Sequence, residues 1–179
     1  MEPLIEIKKP EDISPEYRDT PVGLFLEYHN LGRQFQKHTN AELLIGMCMD
    51  SRVVLKIPNK FSYVLRTGGA NMRDLEFNIS YAVAVGGIKY IIVLGHTNCA
   101  MINLMSRKDD FIKGLVETGG WEKYLAEEHF YESEPVYEIK NEIDFVIKET
   151  KRLRLKYRKV TVVPMIYRVK TNHIYLIEE

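Results

Sequence analysis

The sequence predicts an α/β fold in which helices flank a mainly parallel sheet of four to five strands. Two continuous apolar runs, at 43–47 and 90–94, have the length of strands and are typical of strands buried on both faces of a parallel sheet. Helical spacing of apolar residues between such runs indicates crossover helices. A short turn at 170–172 joins the last two runs, so the final strand is expected to be antiparallel.

The remaining elements follow in order along the chain. Residues 1–14 are expected to form an extended arm. Residues 15–38 are expected to form a helix, because apolar side chains recur at helical spacing: Leu24, Phe25, Tyr28, Leu31 and Phe35. Strands are predicted at 43–49, 61–66, 89–95, 160–168 and 173–177. Helices are predicted at 72–85, from about Cys99, and over 110–130 and 136–157, the first of them stopped by Gly86 and Gly87.

Length and charge narrow the class of protein. A chain of 179 residues with 45% hydrophobic composition predicts one domain, residues 1–179. The 25 basic and 25 acidic residues cancel, which argues against nucleic acid as a partner. No apolar run approaches the roughly 20 residues of a membrane helix, and residues 1–10 do not resemble a secretory signal. These features predict a cytoplasmic protein with no membrane partner, in which cysteines serve metal binding or catalysis rather than a disulfide.

Both cysteines lie where predicted strands end. Cys48 follows the first apolar run, and Cys99 follows His96 at the end of the second. Because parallel strands end at the same edge of a sheet, we expect the two thiols and the imidazole to converge. Three such ligands with a fourth position open are typical of catalytic zinc. Asp50 and Arg52, two residues apart on an extended segment, can face the same side and form a carboxylate–guanidinium pair beside the metal.

The motifs Cys48-x-Asp50-x-Arg52 and His96-x-x-Cys99 resemble the signature of the β-class carbonic anhydrases. The surrounding words, Cys-Met-Asp-Ser-Arg-Val, Ser-Tyr-Ala-Val and Gly-His-Thr-Asn-Cys, are also similar to that family, in particular to its compact prokaryotic branch. The similarity spans about residues 24–105 and, more loosely, the last two strands. It implies a β-carbonic anhydrase-like fold.

The resemblance also implies a site and an activity. Cys48, His96 and Cys99 would hold Zn²⁺, Asp50 and Arg52 would form the catalytic dyad, and Gly68, Gly69 and Tyr81 would lie near the substrate pocket. The expected reaction is reversible hydration of carbon dioxide to bicarbonate by zinc-bound hydroxide. In the family the sites lie at a dimer interface. Residues 1–14 and the predicted helix 15–38 are apolar enough to wrap a partner subunit, so a homodimer or a dimer of dimers is expected, with residues 1–38 packed on the partner.

The residues leave other interpretations open. Cys48 could be an inert buried thiol, and Cys99, at a predicted helix start, could be redox-sensitive. The Asp50–Arg52 pair could be structural, the glycines a plain turn, and Tyr81 a core residue. The other four histidines, which are His29, His38, His129 and His173, are expected at the surface or as caps.

Departures from the family pattern concern the pocket. Ala100 replaces a usual glycine, Thr67 replaces a frequent asparagine, residues 53–60 form a short connection, and residues 121–137 have no clear counterpart. These differences keep two alternatives in view. One is hydrolysis of carbonyl sulfide or carbon disulfide, and the other is a non-catalytic zinc-stabilised binding or regulatory protein.

Overall fold

A six-stranded sheet in the order β1-β6-β5-β4-β2-β3 forms the centre of the structure, a computed structural model that describes residues 4–178. Its strands are β1 (Leu4–Glu6), β2 (Leu43–Cys48), β3 (Ser62–Thr67), β4 (Tyr90–His96), β5 (Thr161–Arg168) and β6 (His173–Ile177). The contiguous strands β3, β2, β4 and β5 are parallel, whereas β6 is antiparallel to β5 and to β1. The predicted α/β class and the antiparallel last strand are therefore confirmed.

The predicted number of four to five strands is too low, because the arm contributes a strand of its own. Residues 4–6 pair with β6, and three residues are too few to show an alternating pattern. Residues 1–3 of the predicted arm lie outside the described residues.

Five α-helices are present among residues 4–178: α1 (Pro21–Asn30), α2 (Glu76–Ala84), α3 (Lys108–Glu117), α4 (Lys123–Tyr137) and α5 (Glu142–Lys156). The predicted helix at 72–85 begins instead as a short 3-10 turn, Arg73–Leu75. No helix begins at Cys99, since the segment after it is irregular up to a 3-10 turn at Leu104–Arg107. The predicted helices over 110–130 and 136–157 are divided differently, by breaks at 118–122 and 138–141.

The first helix is shorter than predicted at both ends. Thr20 caps it, with a side chain that accepts a hydrogen bond from the backbone N–H of Val22, and Pro21 occupies the first turn. Beyond Asn30 the chain turns at Gly32, whose φ of 68° is the left-handed conformation that ends many helices. His38 consequently lies in an irregular segment and not in the helix.

The core lies on both faces of the sheet. On one face α1 contributes Phe25 and Leu26, which pack in a cluster with Ile45 and Leu94. On the other face α2 and α5 cover alternate strand residues, in a cluster of buried side chains: Leu44, Ile79, Val93, Val146 and Leu153. The buried apolar side chains of residues 4–38 are thus covered by the chain itself, and contact of segment 1–38 with a partner subunit stays a prediction.

The register of the parallel strands positions the polar residues that follow them. Met47 of β2 pairs with Leu94 of β4, so Cys48 and His96 reach the same edge of the sheet. Cys48 also pairs with Thr67, the last residue of β3. Open parallel sheets bind ligands at this edge. No helix among residues 4–178 is long and apolar enough to cross a membrane.

Candidate metal centre

Cys48, His96 and Cys99 form a buried cluster at the carboxyl edge of the sheet. One ligand atom from each residue lies within 4.8 Å of the others, and the two sulfur atoms are 4.0 Å apart. Cys48 and His96 end neighbouring strands, and a tight turn returns the chain to Cys99. Asn98 occupies that turn with φ 58°, a conformation that asparagine tolerates better than most residues. The structure therefore brings together the three residues that the sequence singles out.

The imidazole of His96 has a free nitrogen that faces this cluster. Its Nδ1 lies 3.1 Å from the carbonyl oxygen of Thr97, which can only accept, so Nδ1 carries the proton. Nε2 is left with a lone pair, is buried, and has no hydrogen-bond partner in the described chain. An unpaired buried nitrogen is costly, and a metal ion would satisfy it. The donor set, two thiols and one imidazole, fits Zn²⁺.

Asp50 and Arg52 form a forked ion pair beside the cluster. The Nε of Arg52 donates to Oδ1 of Asp50 at 2.9 Å, and its Nη2 donates to Oδ2 at 2.6 Å. The backbone N–H of Arg52 also donates to Oδ1 at 2.9 Å. Arg52 Nη2 further donates to the carbonyl of Asn98 at 2.9 Å, which ties the pair to the turn between His96 and Cys99. The Oδ2 atom of Asp50 lies 3.9 Å from Nε2 of His96.

The electrostatics of Asp50 follow from this geometry. The hydrogen bonds from Arg52 hold the pKa of the Asp50 carboxyl well below its usual range, against a smaller opposing effect of burial. Asp50 is thus a carboxylate throughout the neutral pH range. It can accept a hydrogen bond from a neighbouring hydroxyl group but cannot donate one.

The two thiols shift each other's pKa in opposite directions. The hydrogen bond with Cys99 lowers the pKa of Cys48, whereas the same bond and burial raise the pKa of Cys99. The predicted helix start at Cys99 is wrong, so no helix dipole stabilises its thiolate. Its backbone N–H instead lies 3.4 Å from Oε1 of Glu142, at the start of α5.

An apolar wall, which we define as Met101, Ile102, Ile139 and Phe145, packs against Cys48 and Cys99. Ile139 lies in the connection between α4 and α5. Its N–H donates to the carbonyl of Met101 at 3.0 Å, and it forms an isolated parallel bridge with Ile102. Sequence analysis missed Ile139, Glu142 and Phe145, because they are about 40 residues beyond Cys99 and belong to no motif.

The predicted pocket residues lie in two different places. Gly68 and Gly69 form a 3-10 turn directly after β3, next to the apolar wall: a Cβ on Gly69 would lie 3.3 Å from Cγ of Met101. Tyr81 lies on α2 with 54% of its surface exposed, and it is not among the residues that pack on Cys48 and Cys99. Its assignment to a pocket stays a prediction.

Two of the remaining histidines are buried, contrary to prediction. His29 donates from Nε2 to the carbonyl of Asn172 at 2.9 Å and accepts at Nδ1 from the N–H of Lys56 at 3.1 Å. His38 lies between the hydroxyl of Tyr28 at 3.1 Å and the carboxylate of Glu42 at 2.7 Å. Both rings are held by tertiary contacts that helical spacing could not reveal. His129 is exposed as expected, and His173 is half-buried at the start of β6.

Comparison with known proteins identifies a family. A family model described as carbonic anhydrase matches residues 43–174. No curated protein matches the sequence significantly.

The solved structures that share the fold include the following three. The β-carbonic anhydrase isoform I of Trichomonas vaginalis has a TM-score of 0.65 at 18% identity, over 86% of this chain and 91% of that one. The carbonic anhydrase of Glaciozyma antarctica has a TM-score of 0.61 at 20% identity, over 93% and 100%. The apo form of a carbon disulfide hydrolase has a TM-score of 0.59 at 23% identity, over 78% and 80%. The family model spans well over half of the present chain, so this chain belongs to the β-carbonic anhydrase family.

Proposed function

We propose that this protein is a zinc-dependent carbonic anhydrase that interconverts carbon dioxide and bicarbonate. The observation that supports this most strongly is the convergence of Cys48, His96 and Cys99, with the unpaired Nε2 of His96 facing the two sulfur atoms and the Asp50 carboxylate beside it. These three residues would hold Zn²⁺. When bound there, the ion would lower the pKa of water from about 16 to roughly 7, which makes a hydroxide nucleophile available near neutral pH.

Asp50 has a distinct role in this proposal. The water first loses one proton to solvent. Oδ2 of Asp50 accepts a hydrogen bond from the resulting hydroxide and orients its lone pair toward the carbon of carbon dioxide. Because its pKa is held far below neutral, Asp50 stays an acceptor at every working pH. A new carbon–oxygen bond then forms as one carbon–oxygen π bond opens, and the product is bicarbonate.

Arg52 fixes Asp50 in that position. Its fork satisfies both carboxylate oxygens, and its contact with Asn98 keeps the carboxylate at a constant distance from the turn that bears His96 and Cys99. Without the guanidinium, the carboxylate would be free to approach the metal position as a fourth ligand and exclude water from it.

A homodimer, or a dimer of dimers, is part of the proposal. Strand β3 is an edge strand, and apolar side chains are exposed on α2 (Phe77 and Tyr81) and at Val85, which directly follows it. Exposed apolar residues beside an unpaired edge are typical of an interface. A second copy would cover Tyr81 and would bring it to the predicted substrate pocket near Gly68 and Gly69. A cytoplasmic location fits, because both thiols must stay reduced to bind a metal.

A second candidate is hydrolysis of carbon disulfide or carbonyl sulfide. The apolar wall beside the two cysteines offers no hydrogen-bonding side chain, which suits an apolar linear molecule, and one of the similar structures is of a carbon disulfide hydrolase. A third candidate is a zinc-stabilised binding or regulatory protein without turnover. It would keep the metal and show no activity with any of these substrates.

Stopped-flow measurements on the zinc-loaded protein separate these candidates. Two thiolates donate more charge than imidazoles, so we expect carbon dioxide hydration to rise between about pH 7 and about pH 9. Asp50→Ala should abolish the activity, and Asp109→Ala, at an exposed carboxylate of α3, should leave it unchanged. Hydrogen sulfide release from carbon disulfide or carbonyl sulfide, without carbon dioxide hydration, would favour the second candidate. Silence with all three substrates and zinc still bound would favour the third.

A further inference from the structure

The turn after β3 has an unusual backbone beside the metal centre. Gly69 and Ala70 follow each other with φ of 63° and 62°. Glycine adopts this conformation freely, but alanine does so only with strain, so neighbouring contacts must hold the turn in place. Helix α4 supplies such contacts, since the carbonyl of Val136 accepts a hydrogen bond from Nδ2 of the buried Asn71 at 2.9 Å.

Tyr137, the last residue of α4, holds the same turn in two ways. Its hydroxyl donates to Oδ2 of Asp74, just beyond the turn. Its ring occupies the space that a side chain at Gly68 would need, because a Cβ there would lie 3.2 Å from Cδ1 of Tyr137. The aromatic ring can therefore pack against Gly68 because this residue has no side chain.

Gly68 also lies close to Met101, which connects the turn with the candidate metal ligands. A Cβ on Gly68 would also lie 3.3 Å from Sδ of Met101, a residue that follows Cys99 by two positions. Met101 in turn belongs to the apolar wall that packs on Cys48 and Cys99. One continuous set of contacts thus runs from Tyr137 over the Gly68 turn and Met101 to the thiol ligands.

We propose that Tyr137 is a positioning residue for the metal centre. It fixes the turn at Gly68 and, through Met101, the segment that bears Cys99. Loss of the ring would leave a gap into which Met101 can move, and the Cys99 sulfur would lose its defined position. The kinetic consequence rests on the proposed carbonic anhydrase function, whereas the effect on metal binding does not.

The test compares three variants in the full-length protein. Tyr137→Ala removes the ring and the hydroxyl, Tyr137→Phe keeps the ring, and Tyr124→Ala removes an exposed tyrosine of the same helix as a matched control. Zinc affinity is measured by competition with a chromophoric chelator, and the thiolate-to-metal absorption bands are recorded after Co²⁺ substitution. Thermal unfolding is recorded for each variant, so that a simple loss of the fold is recognised.

We expect Tyr137→Ala to bind zinc at least about tenfold more weakly, to shift the Co²⁺ bands and to lower kcat by about tenfold. Tyr137→Phe should recover most of the affinity and the wild-type bands, and Tyr124→Ala should match the wild type throughout. If Tyr137→Ala does not fold, Tyr137→Leu, which keeps an apolar side chain without a planar ring, replaces it. Wild-type affinity and bands in a folded Ala or Leu variant would overturn the proposal. An inactive wild type with the expected metal results would contradict only the proposed function.

Discussion

Arg52 donates hydrogen bonds to both carboxylate oxygens of Asp50, at 2.9 Å from Nε to Oδ1 and at 2.6 Å from Nη2 to Oδ2. Asp50 lies two residues after Cys48 in the chain, and its Oδ2 lies 3.9 Å from Nε2 of His96. The carboxylate is therefore held next to the three candidate ligands by a partner that can satisfy both of its oxygens at once. A point charge in place of the guanidinium could not do this.

The first prediction concerns this fork. Arg52→Ala should retain one zinc per chain and lower kcat by about a hundredfold or more, because the carboxylate is no longer oriented. Arg52→Lys should recover little, since an ammonium group cannot bind both oxygens in one plane. Stopped-flow hydration and metal analysis on the same samples check both statements. Full activity in Arg52→Ala would show that the pair is only structural.

The second prediction concerns the thiols. Cys48→Ser and Cys99→Ser should each lose zinc, because a hydroxyl is a far weaker ligand than a thiolate at neutral pH. Metal content after dialysis against a mild chelator measures this loss. His129→Ala changes an exposed histidine and serves as the control that should keep the metal. One bound zinc in either Ser variant would contradict the proposed ligand set.

The third prediction concerns Glu149, a buried carboxylate of α5. Glu149 of α5 accepts from the N–H of Met72 at 3.1 Å and pairs with Arg152 at 2.7 Å. Glu149→Ala should lower the free energy of unfolding by about 2 kcal/mol, because the buried N–H of Met72 loses its acceptor and the half-buried guanidinium of Arg152 keeps only Glu76 as a partner. Urea unfolding measures the change. Glu149→Gln, which keeps an acceptor for Met72, should cost less.

The fourth prediction concerns pH and stability. Burial lowers the pKa of His29 from 6.5 to about 4, so the folded protein keeps the ring neutral where the unfolded chain would protonate it. The contribution of neutral His29 to the free energy of unfolding is therefore fully present above about pH 6.5 and is lost as the pH falls toward about 4. The change amounts to at most about 3 kcal/mol of unfolding free energy.

Urea unfolding of the wild type and of His29→Gln across this range checks the prediction. Glutamine can donate to Asn172 and accept from Lys56 as the histidine does, but it does not titrate. The difference in unfolding free energy between the two proteins should narrow or reverse in favour of the variant at low pH. A constant difference from pH 7 to 4 would contradict the depressed pKa of His29.

The elements nearest the site were the most predictable from sequence. The strands predicted at 43–49 and 89–95 are observed at Leu43–Cys48 and Tyr90–His96, because strands buried on both faces are apolar at every position. The predicted first helix is too long, since Leu31 and Phe35 continue the apolar spacing beyond Asn30, where the helix ends just before the turn at Gly32. Spacing alone does not distinguish these side chains from helical ones.

The sequence by itself determined the chemistry of the candidate centre: two thiols, one imidazole and a carboxylate–guanidinium pair at the ends of two parallel strands. Each of these groups closely follows an apolar run that predicts a strand, and parallel strands end at one edge of a sheet. Only the tertiary structure decided what surrounds them. Three features join segments that are far apart in sequence: the apolar wall that includes Ile139 and Phe145, the packing of the Tyr137 ring on Gly68, and the burial of His29. Contacts of that kind depend on side-chain packing between elements, which leaves no local pattern in the amino-acid order.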